Sequence, residues 1–346
     1  MINYNNHFCT LSEVYLIAEI GVNHNGDMSL AKKMIEAAKE SGADAVKFQT
    51  FSAELLVSPE TQKVEYQKQS GPHSETHYEM IKKLELSKNH HYDLFNFCCQ
   101  VGVDFISTPY DIESAKFLNK LGVKYFKTAS ADIIDLPLLK YIASTGKPTI
   151  IATGMASLGE IEKAVEIFEN YNNLNFALLH CVSNYPCSDK SLNMRVMNAL
   201  ENSFDCPVGY SDHSIGFLAS VIAVSLGARV IEKHFTLDKM SQGPDHKASS
   251  TPDEFYELSS NIRKAEIILG SSRKKIQDEE IQMSKVSRKN LIASREIKIG
   301  EFIQIDDLAL MRTDGGISAT FIDSIIGKCA TKNILRNQKI SWSSLS

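Results

Sequence analysis

The chain has 346 residues, of which 43% are hydrophobic and 23% charged, and a formal net charge of −5. That length holds a large core and a second small domain. The acidic balance excludes a broad electrostatic footprint for nucleic acid or anionic lipid, and no apolar run reaches transmembrane length. Positive charge that grips an anionic substrate must therefore be local. The seven cysteines (Cys9, Cys98, Cys99, Cys181, Cys187, Cys206 and Cys329) are odd in number and form no C-x-x-C pair. The opening M-I-N-Y-N-N-H-F-C-T has neither a basic n-region nor an apolar h-region. Both features predict reduced thiols in a cytoplasmic protein. Cys181 and Cys187 bracket a loop, where burial as small hydrophobes is the favoured reading and metal ligation the other.

In chain order, the first predicted strand is Val14–Ile20, followed by a turn at Asn25-Gly26. Asp27 or Ser29 can cap a helix over Leu30, Met34, Ala37 and Ala38, which Gly42 stops. Strand Ala45–Gln49 follows at once. The polar excursion Thr50–His77 is too long for an ordinary connection between a strand and a helix, and reads as a candidate substrate lid. A helix over Asn89–Val101 leads to strand Asp104–Thr108, whose T-P-Y-D end opens a helix through Leu121. Strand Tyr125–Thr128 precedes a helix near Pro137–Ser144, and strand Pro148–Ala152 precedes one near Ser157–Asn170. Strand Phe176–His180 is followed by a helix near Leu192–Glu201. The last two β-branched runs lie within Pro207–Phe235 and end at His213 and His234, with an apolar helix over Phe217–Leu226 between them. A final helix spans Pro252–Leu269.

Eight strand–helix repeats in roughly 270 residues predict a (β/α)8 TIM barrel. A doubly wound open sheet is the competitor, but no G-x-G-x-x-G follows the first strand. Residues 1–270 thus form the barrel domain. Residues 271–285 read as a polar linker. Residues 286–346 form a small β-rich domain, with pieces at Leu291–Ile297, Glu301–Ile305, Lys332–Leu335 and Lys339–Trp342.

Catalytic groups of such barrels stand at the carboxyl ends of the strands. The early strands place Glu19, Asn23, His24, Lys47, Gln49, Thr108, Lys127, Ser130, Asp132 and Thr153 there. The later ones add His180, Ser183, Tyr185, Ser211, Asp212, His213, Glu232 and His234. Lys47 and Lys127 each interrupt an apolar strand, so inside a barrel each needs a partner, and a phosphate or carboxylate is a natural one. His213 and His234 close the two strands of one βαβ unit. Neighbouring strands lie about 4.8 Å apart, within reach of one metal ion. The pattern predicts a site for a small, multiply charged anion together with a divalent metal.

Several motifs occur in the order seen in a known family. They are A-E-I-G-V-N-H-N-G (18–26), V-K-F-Q-T (46–50), S-T-P-Y-D (107–111), T-G-M (153–155), G-Y-S-D-H (209–213), E-K-H-F-T-L-D (232–238) and G-P-D-H (243–246). Over nearly its whole length the chain resembles the sialic acid synthases, which include enzymes making N-acetylneuraminate, legionaminate and pseudaminate. Its tail, with K-I-G-E (298–301) and L-x-L-M-R-T-D-G-G-I-S (308–318), resembles their antifreeze-like (SAF) domain.

The resemblance implies a metal-dependent condensation of phosphoenolpyruvate with an N-acetylmannosamine-type aldehyde, giving a nine-carbon 2-keto sugar acid and phosphate. His213 and His234 would hold Mn2+ (or Mg2+ or Co2+). Lys47, Thr108, Lys127, Ser130, Thr153, Ser183 and Ser211 would bind phosphoenolpyruvate. Gln49, Asp132 and Tyr185 would contact the sugar, as would Arg312 from the tail of a partner subunit covering the barrel in a homodimer. Glu19 and Asp245 are the candidates for moving protons. Three positions depart from the family pattern. Ser130-Ala131-Asp132 stands for the usual Ser-Gly-Glu, Ala152 for a common serine, and R-T-D-G-G (312–316) for R-P-G-N-G. They leave both lysines and both histidines intact and bear on substrate choice, where the N-acetylneuraminate reading leads and N,N'-diacetyllegionaminate is the alternative. Two other readings stay open, a Schiff-base aldolase using Lys127 and a non-catalytic sugar-binding protein.

Overall fold

The structure, a computed structural model, describes residues 6–58, 61 and 76–346. The chain divides into two compact units, Met1–Gly270 and Ser271–Ser346. The first contains eight strands: β1 (Tyr15–Gly21), β2 (Ala45–Thr50), β3 (Asp104–Pro109), β4 (Phe126–Thr128), β5 (Thr149–Ala152), β6 (Phe176–Cys181), β7 (Val208–Asp212) and β8 (Val230–His234). Every hydrogen-bonded pair among them is parallel, in the order β3-β2-β1-β8-β7-β6-β5-β4. The ends of that order, β3 and β4, also lie side by side. The first strand pairs with the last, so the sheet curls into a nearly closed barrel rather than an open doubly wound sheet.

Strand alternation sorts the side chains into two cores. Outward-facing Leu16, Ala18, Val46, Phe48 and Leu178 pack with helix residues such as Ala31, Met34, Ile35 and Ala38 of Met28–Glu40. Each fully buried large aliphatic chain there contributes about 1.5–3 kcal/mol. That helix starts where Asp27 accepts from the Ser29 and Leu30 amides. The long helix Pro252–Leu269 starts at a Thr251/Glu254 capping box with proline in its first turn. Inward-facing Tyr15, Ile17, Ala45, Ile106, Tyr125, Ile150, Ala177, Leu179 and Val230 fill the lower half of the barrel.

A short 3-10 turn, His7–Thr10, adds Phe8 to that inner cluster. Asn6 caps the turn and donates to the Leu174 and Phe176 carbonyls, while the Arg229 guanidinium donates to the carbonyls of Phe8, Cys9 and Leu11. No element is predicted there from the sequence, because a single turn carries no periodicity.

The predicted strands of the first unit begin and end within about one residue of the observed ones. The helix after β6 runs Val196–Phe204 rather than starting near Leu192, because Asn193 takes a left-handed backbone (φ 44°) that breaks helical continuity. Most of the excursion read as a lid, residues 59–60 and 62–75, lies outside the described residues. Beside it stand a single helical turn, Ala53–Leu56, and an unpredicted helix, His77–Leu84, opened by a Thr76/Glu79 capping box. Among the described residues no helix is long and apolar enough to cross a membrane.

The second unit opens with a helix, Glu280–Ser287, in the stretch read as linker, with an acidic first turn and Lys285 in its last turn. Two strands, β9 (Lys289–Ala293) and β10 (Leu308–Arg312), pair antiparallel. Of the four predicted β pieces only Leu291–Ile297 overlaps a paired strand, and β10 falls on none of them. Single bridges, such as Ile297 to Ile334 and Phe302 to Cys329, replace the longer ladders. Leu291, Ile297, Ile303, Ile317, Ile325, Ile334 and Ile340 form its small core.

Candidate active site

The inward face changes character two residues further along five of the strands. Tyr15 and Ile17 are followed on the same face by Glu19, Ala45 by Lys47 and Gln49, Ile106 by Thr108, Tyr125 by Lys127, and Val230 by Glu232 and His234. These polar side chains line a cavity of about 560 Å³ at the carboxyl ends of the strands, a size suited to small-molecule ligands.

At its centre four buried charges interlock. Lys47 Nζ stands 3.0 Å from Glu19 Oε2 and 3.5 Å from Glu232 Oε2, and Lys127 Nζ stands 3.7 Å from Glu232 Oε2. Lys47 also donates to Thr108 Oγ1 at 3.3 Å, and Lys127 donates to the Thr128 carbonyl at 2.9 Å. Ser211 Oγ donates to Glu232 Oε1 at 2.8 Å, and Gln49 Nε2 donates to Glu19 Oε1 at 3.3 Å. Both lysines therefore face the cavity, as predicted, and each pairs there with a carboxylate. Gly21, at the bulge where the β1–β2 register shifts, has φ +54°, and a Cβ there would press on Glu19 Oε1 at 3.0 Å.

Environment separates the two carboxyl groups. Burial, reinforced by Glu232, raises Glu19 to about 7 against the pull of Lys47. Burial also acts on Glu232, but Lys127 and then Lys47 outweigh it and hold that carboxyl at about 2. Burial raises Asp245 to about 6 and lowers Lys127 from the usual lysine range. The result is one carboxyl poised to exchange a proton near neutrality beside one that stays ionised.

The two imidazoles stand next to this cluster, with ring centroids 5.5 Å apart, and Tyr185 packs against both at 4.1 Å from His213 and 5.2 Å from His234. His213 Nδ1 is 2.7 Å from the Val182 carbonyl, which assigns it the proton and leaves Nε2 as the acceptor. His234 Nδ1 is buried without a hydrogen-bond partner, and Asp245 Oδ2 stands 4.0 Å from it. Burial holds both rings below the usual histidine range, hence neutral. Two neutral imidazoles, one with an orphaned buried nitrogen, fit a divalent cation with open positions. Among the described residues no group of three or more His, Cys, Asp or Glu side chains is arranged to hold a metal.

Ser130, Ser183 and Cys181 converge on Gly154. A Cβ at that glycine would strike Ser183 Oγ, Ser130 Oγ and Cys181 Sγ, so only glycine leaves the pocket open. The Gly154 amide donates to Ser130 Oγ at 3.2 Å. Ser130 and Ser183 line the same cavity as both lysines, a set of groups chemically able to cradle the oxygens of a small anion. Cys181, 3.0 Å from Ser130 Oγ, and Cys187 are both buried free thiols.

Of the residues singled out in the sequence, Glu19, Lys47, Gln49, Thr108, Lys127, Ser130, Ser183, Tyr185, Ser211, His213, Glu232, His234 and Asp245 line the cavity. Thr153 and Asp132 do not: Thr153 Oγ1 donates to the Leu179 carbonyl at 2.9 Å, and Asp132, raised to about 7 by burial and then Asp135, is half-buried beside it. Arg312 is exposed on β10, in the second unit. Asn23, His180 and Asp212 bond outside the cavity, to Phe235 and Ser249, to Leu192, and to Ser214 and Ser220 respectively. Glu232 stands in the polar ring read from the sequence but is assigned no role there, and Tyr110 is not singled out. Glu232 was legible by parity, two residues before His234 on one face. Tyr110, with Val22, Leu56, Val57, Met80, Ile81 and Leu84, makes an apolar wall that no local pattern signals.

Residues 34–274 match the model of the NeuB family, and residues 288–346 match the SAF domain. The chain belongs to the NeuB family. It is an enzyme of the sialic acid synthase type. A N,N'-diacetyllegionaminic acid synthase of Legionella pneumophila is 46% identical over 332 residues, covering 95% of this chain and 93% of the relative. A second, from Campylobacter jejuni, is 43% identical over 332 residues, covering 95% and 99%. Among solved structures, an N-acetylneuraminic acid synthetase from Leptospira borgpetersenii, in complex with citrate, superposes with a TM-score of 0.71 at 34% identity, over 79% of this chain and 90% of that one. In this NeuB chain, then, the interlocked charges, the imidazole pair and the glycine-lined cradle all open into one barrel mouth.

Proposed function

We propose that this NeuB-family enzyme condenses phosphoenolpyruvate with an N-acetylated amino-sugar aldehyde, and that the sugar is the 6-deoxy diacetamido substrate leading to N,N'-diacetyllegionaminate. The observation that carries the condensation is the placement of Lys47 and Lys127 around Glu232, beside His213 and His234, in a single cavity. The sugar preference, which differs from the N-acetylneuraminate reading of the sequence, rests on the two relatives above and on the apolar wall. Val22, Leu56 and Met80 suit a methyl and an acetyl better than hydroxyls. Among the described lining residues the lysines are Lys47 and Lys127 alone, and no arginine is present, which disfavours a phosphorylated sugar.

In this reading Lys47, Lys127, Ser130 and Ser183 hold the phosphate and carboxylate of phosphoenolpyruvate. A divalent cation held by His213 and His234, Mn2+ in our reading, supplies Lewis-acid polarisation of the sugar aldehyde when bound. The enol carbon bonds to the aldehyde carbon, water adds to the former enol C2, and phosphate departs with its bridging oxygen. Glu19 accepts the proton of the attacking water, and Asp245, beside His234, supplies the proton to the new sugar hydroxyl. Glu232 stays ionised and keeps both ammonium groups charged and aimed. We extend the reading to a cytoplasmic homodimer in which Arg312 of one copy reaches the sugar bound by the other.

The test is phosphate release from phosphoenolpyruvate with Mn2+ across N-acetylmannosamine, its 6-phosphate and the 6-deoxy diacetamido sugar. Fastest turnover with the last, abolished by EDTA and restored by Mn2+, is expected; a flat panel would undo the assignment. The lowered basicity of buried Lys127 favours the Schiff-base reading in one respect. Borohydride trapping with the keto product decides it, and no trapped adduct is expected.

A further inference from the structure

Each imidazole has a chain neighbour of opposite charge on the far side of the sheet. Asp212 precedes His213, Lys233 precedes His234, and the two are register partners across the β7–β8 ladder. Lys233 Nζ stands 3.0 Å from Asp212 Oδ2, with side chains 2% and 0% exposed, and neither residue lines the cavity. Asp212 Oδ1 accepts from the amide and hydroxyl of Ser214 at 2.8 and 2.6 Å, and Oδ2 accepts from Ser220 Oγ at 2.6 Å. Lys233 Nζ also donates to the Ser214 carbonyl at 2.6 Å. The residues on either side of His213 are thus tied to one ammonium, and that ammonium belongs to the residue before His234.

A buried ion pair gains little net stability over a well-packed apolar pair, because both charges lose their hydration. What this pair supplies that an apolar one would not is direction, since six bonds, among them one from the Tyr210 hydroxyl to Asp212 Oδ1 at 3.4 Å, converge from two strands, the turn after β7 and one helix. We propose that Asp212 and Lys233 are positioning residues that lock the ends of β7 and β8 so that His213 and His234 converge on one divalent cation. The inference rests on the cation site proposed above.

The test is Mn2+ titration of the full-length protein without phosphoenolpyruvate, followed by electron paramagnetic resonance of the free ion. Lys233→Met is expected to weaken Mn2+ binding roughly 10–100-fold, and Lys233→Arg to recover most of that loss. A Lys233→Met protein that folds and binds Mn2+ as tightly as wild type overturns the positioning role, whatever its melting temperature. If Lys233→Met does not fold, Ser220→Ala decides. Binding about threefold weaker or worse supports the role, and unchanged binding overturns it. Wild-type protein that takes up no Mn2+ sinks the cation site and this inference with it. Wild-type uptake with an unchanged variant sinks the positioning role alone.

Discussion

Glu19 and Lys47 face each other across the β1–β2 ladder and close a 3.0 Å ion pair inside the cavity. On its other side Glu19 is the register partner of His234. A single carboxyl therefore stands between the groups assigned to the phosphoenolpyruvate and to the cation, and burial raises it to about 7. Glu19→Gln keeps the shape and removes the proton acceptor. Turnover measured by phosphate release is expected to fall about 10²–10⁴-fold with phosphoenolpyruvate affinity little changed. Unchanged turnover would assign the proton to another group.

Lys127→Met deletes one of the two ammonium groups that hold Glu232 ionised. Phosphoenolpyruvate binding, measured by calorimetry, is expected to weaken by about 2 kcal/mol, roughly 30-fold. The Glu232 carboxyl should rise from about 2, because Lys127 is the stronger of the two charges holding it down. Wild-type affinity in this variant would remove Lys127 from the anion cradle.

His24 is buried, with Nδ1 accepting from the Gly26 amide at 2.9 Å, and burial followed by His91 lowers it to about 4. Above about pH 6.5 the ring is neutral folded or unfolded, so it adds no pH dependence there. Between about 6.5 and 4 the unfolded chain takes up a proton that the folded one refuses, and stability falls by about 3 kcal/mol. Below about 4 both states carry the proton and the slope from this group ends. Denaturant melts from pH 7.5 to 4 should show that loss, reduced in His24→Asn. Equal slopes in the two proteins would show that His24 is not the group responsible.

Phe8 is fully buried in the cluster that fills the lower barrel, yet it enters from a single turn outside the strand–helix repeats. Phe8→Ala is expected to cost about 3–5 kcal/mol. The check is thermal unfolding beside Lys39→Ala, an exposed control on the first helix. A melting temperature equal to that control would mean that the turn does not plug the barrel.

Much of this arrangement is legible in the sequence. The eight strands of the first unit and their apolar-to-polar switch follow from local periodicity, because a two-residue repeat places Ile17 and Glu19, or Val230 and Glu232, on one face wherever the strand lies. What escaped were features without period: the turn around Phe8, the helix Glu280–Ser287 in a polar stretch, and the apolar wall from Val22 and Met80. Thr153 shows the opposite error, a suitable residue at a suitable strand end whose hydroxyl bonds the Leu179 carbonyl instead of facing the cavity.

By itself the sequence determined that a ring of lysines, carboxylates and imidazoles would stand at the ends of parallel strands, since strand phase is a local property. Only the tertiary structure decided who meets whom. Pairing β1 with both β2 and β8 brings Glu19 against Lys47 and His234 at once, and the next ladder sets Glu232 beside Ser211. Those neighbours come from register between segments far apart in the chain, and register answers to the packing of the whole barrel. The same closure removes water from the interlocked charges, so it also decided which carboxyl holds a proton near neutrality and which does not.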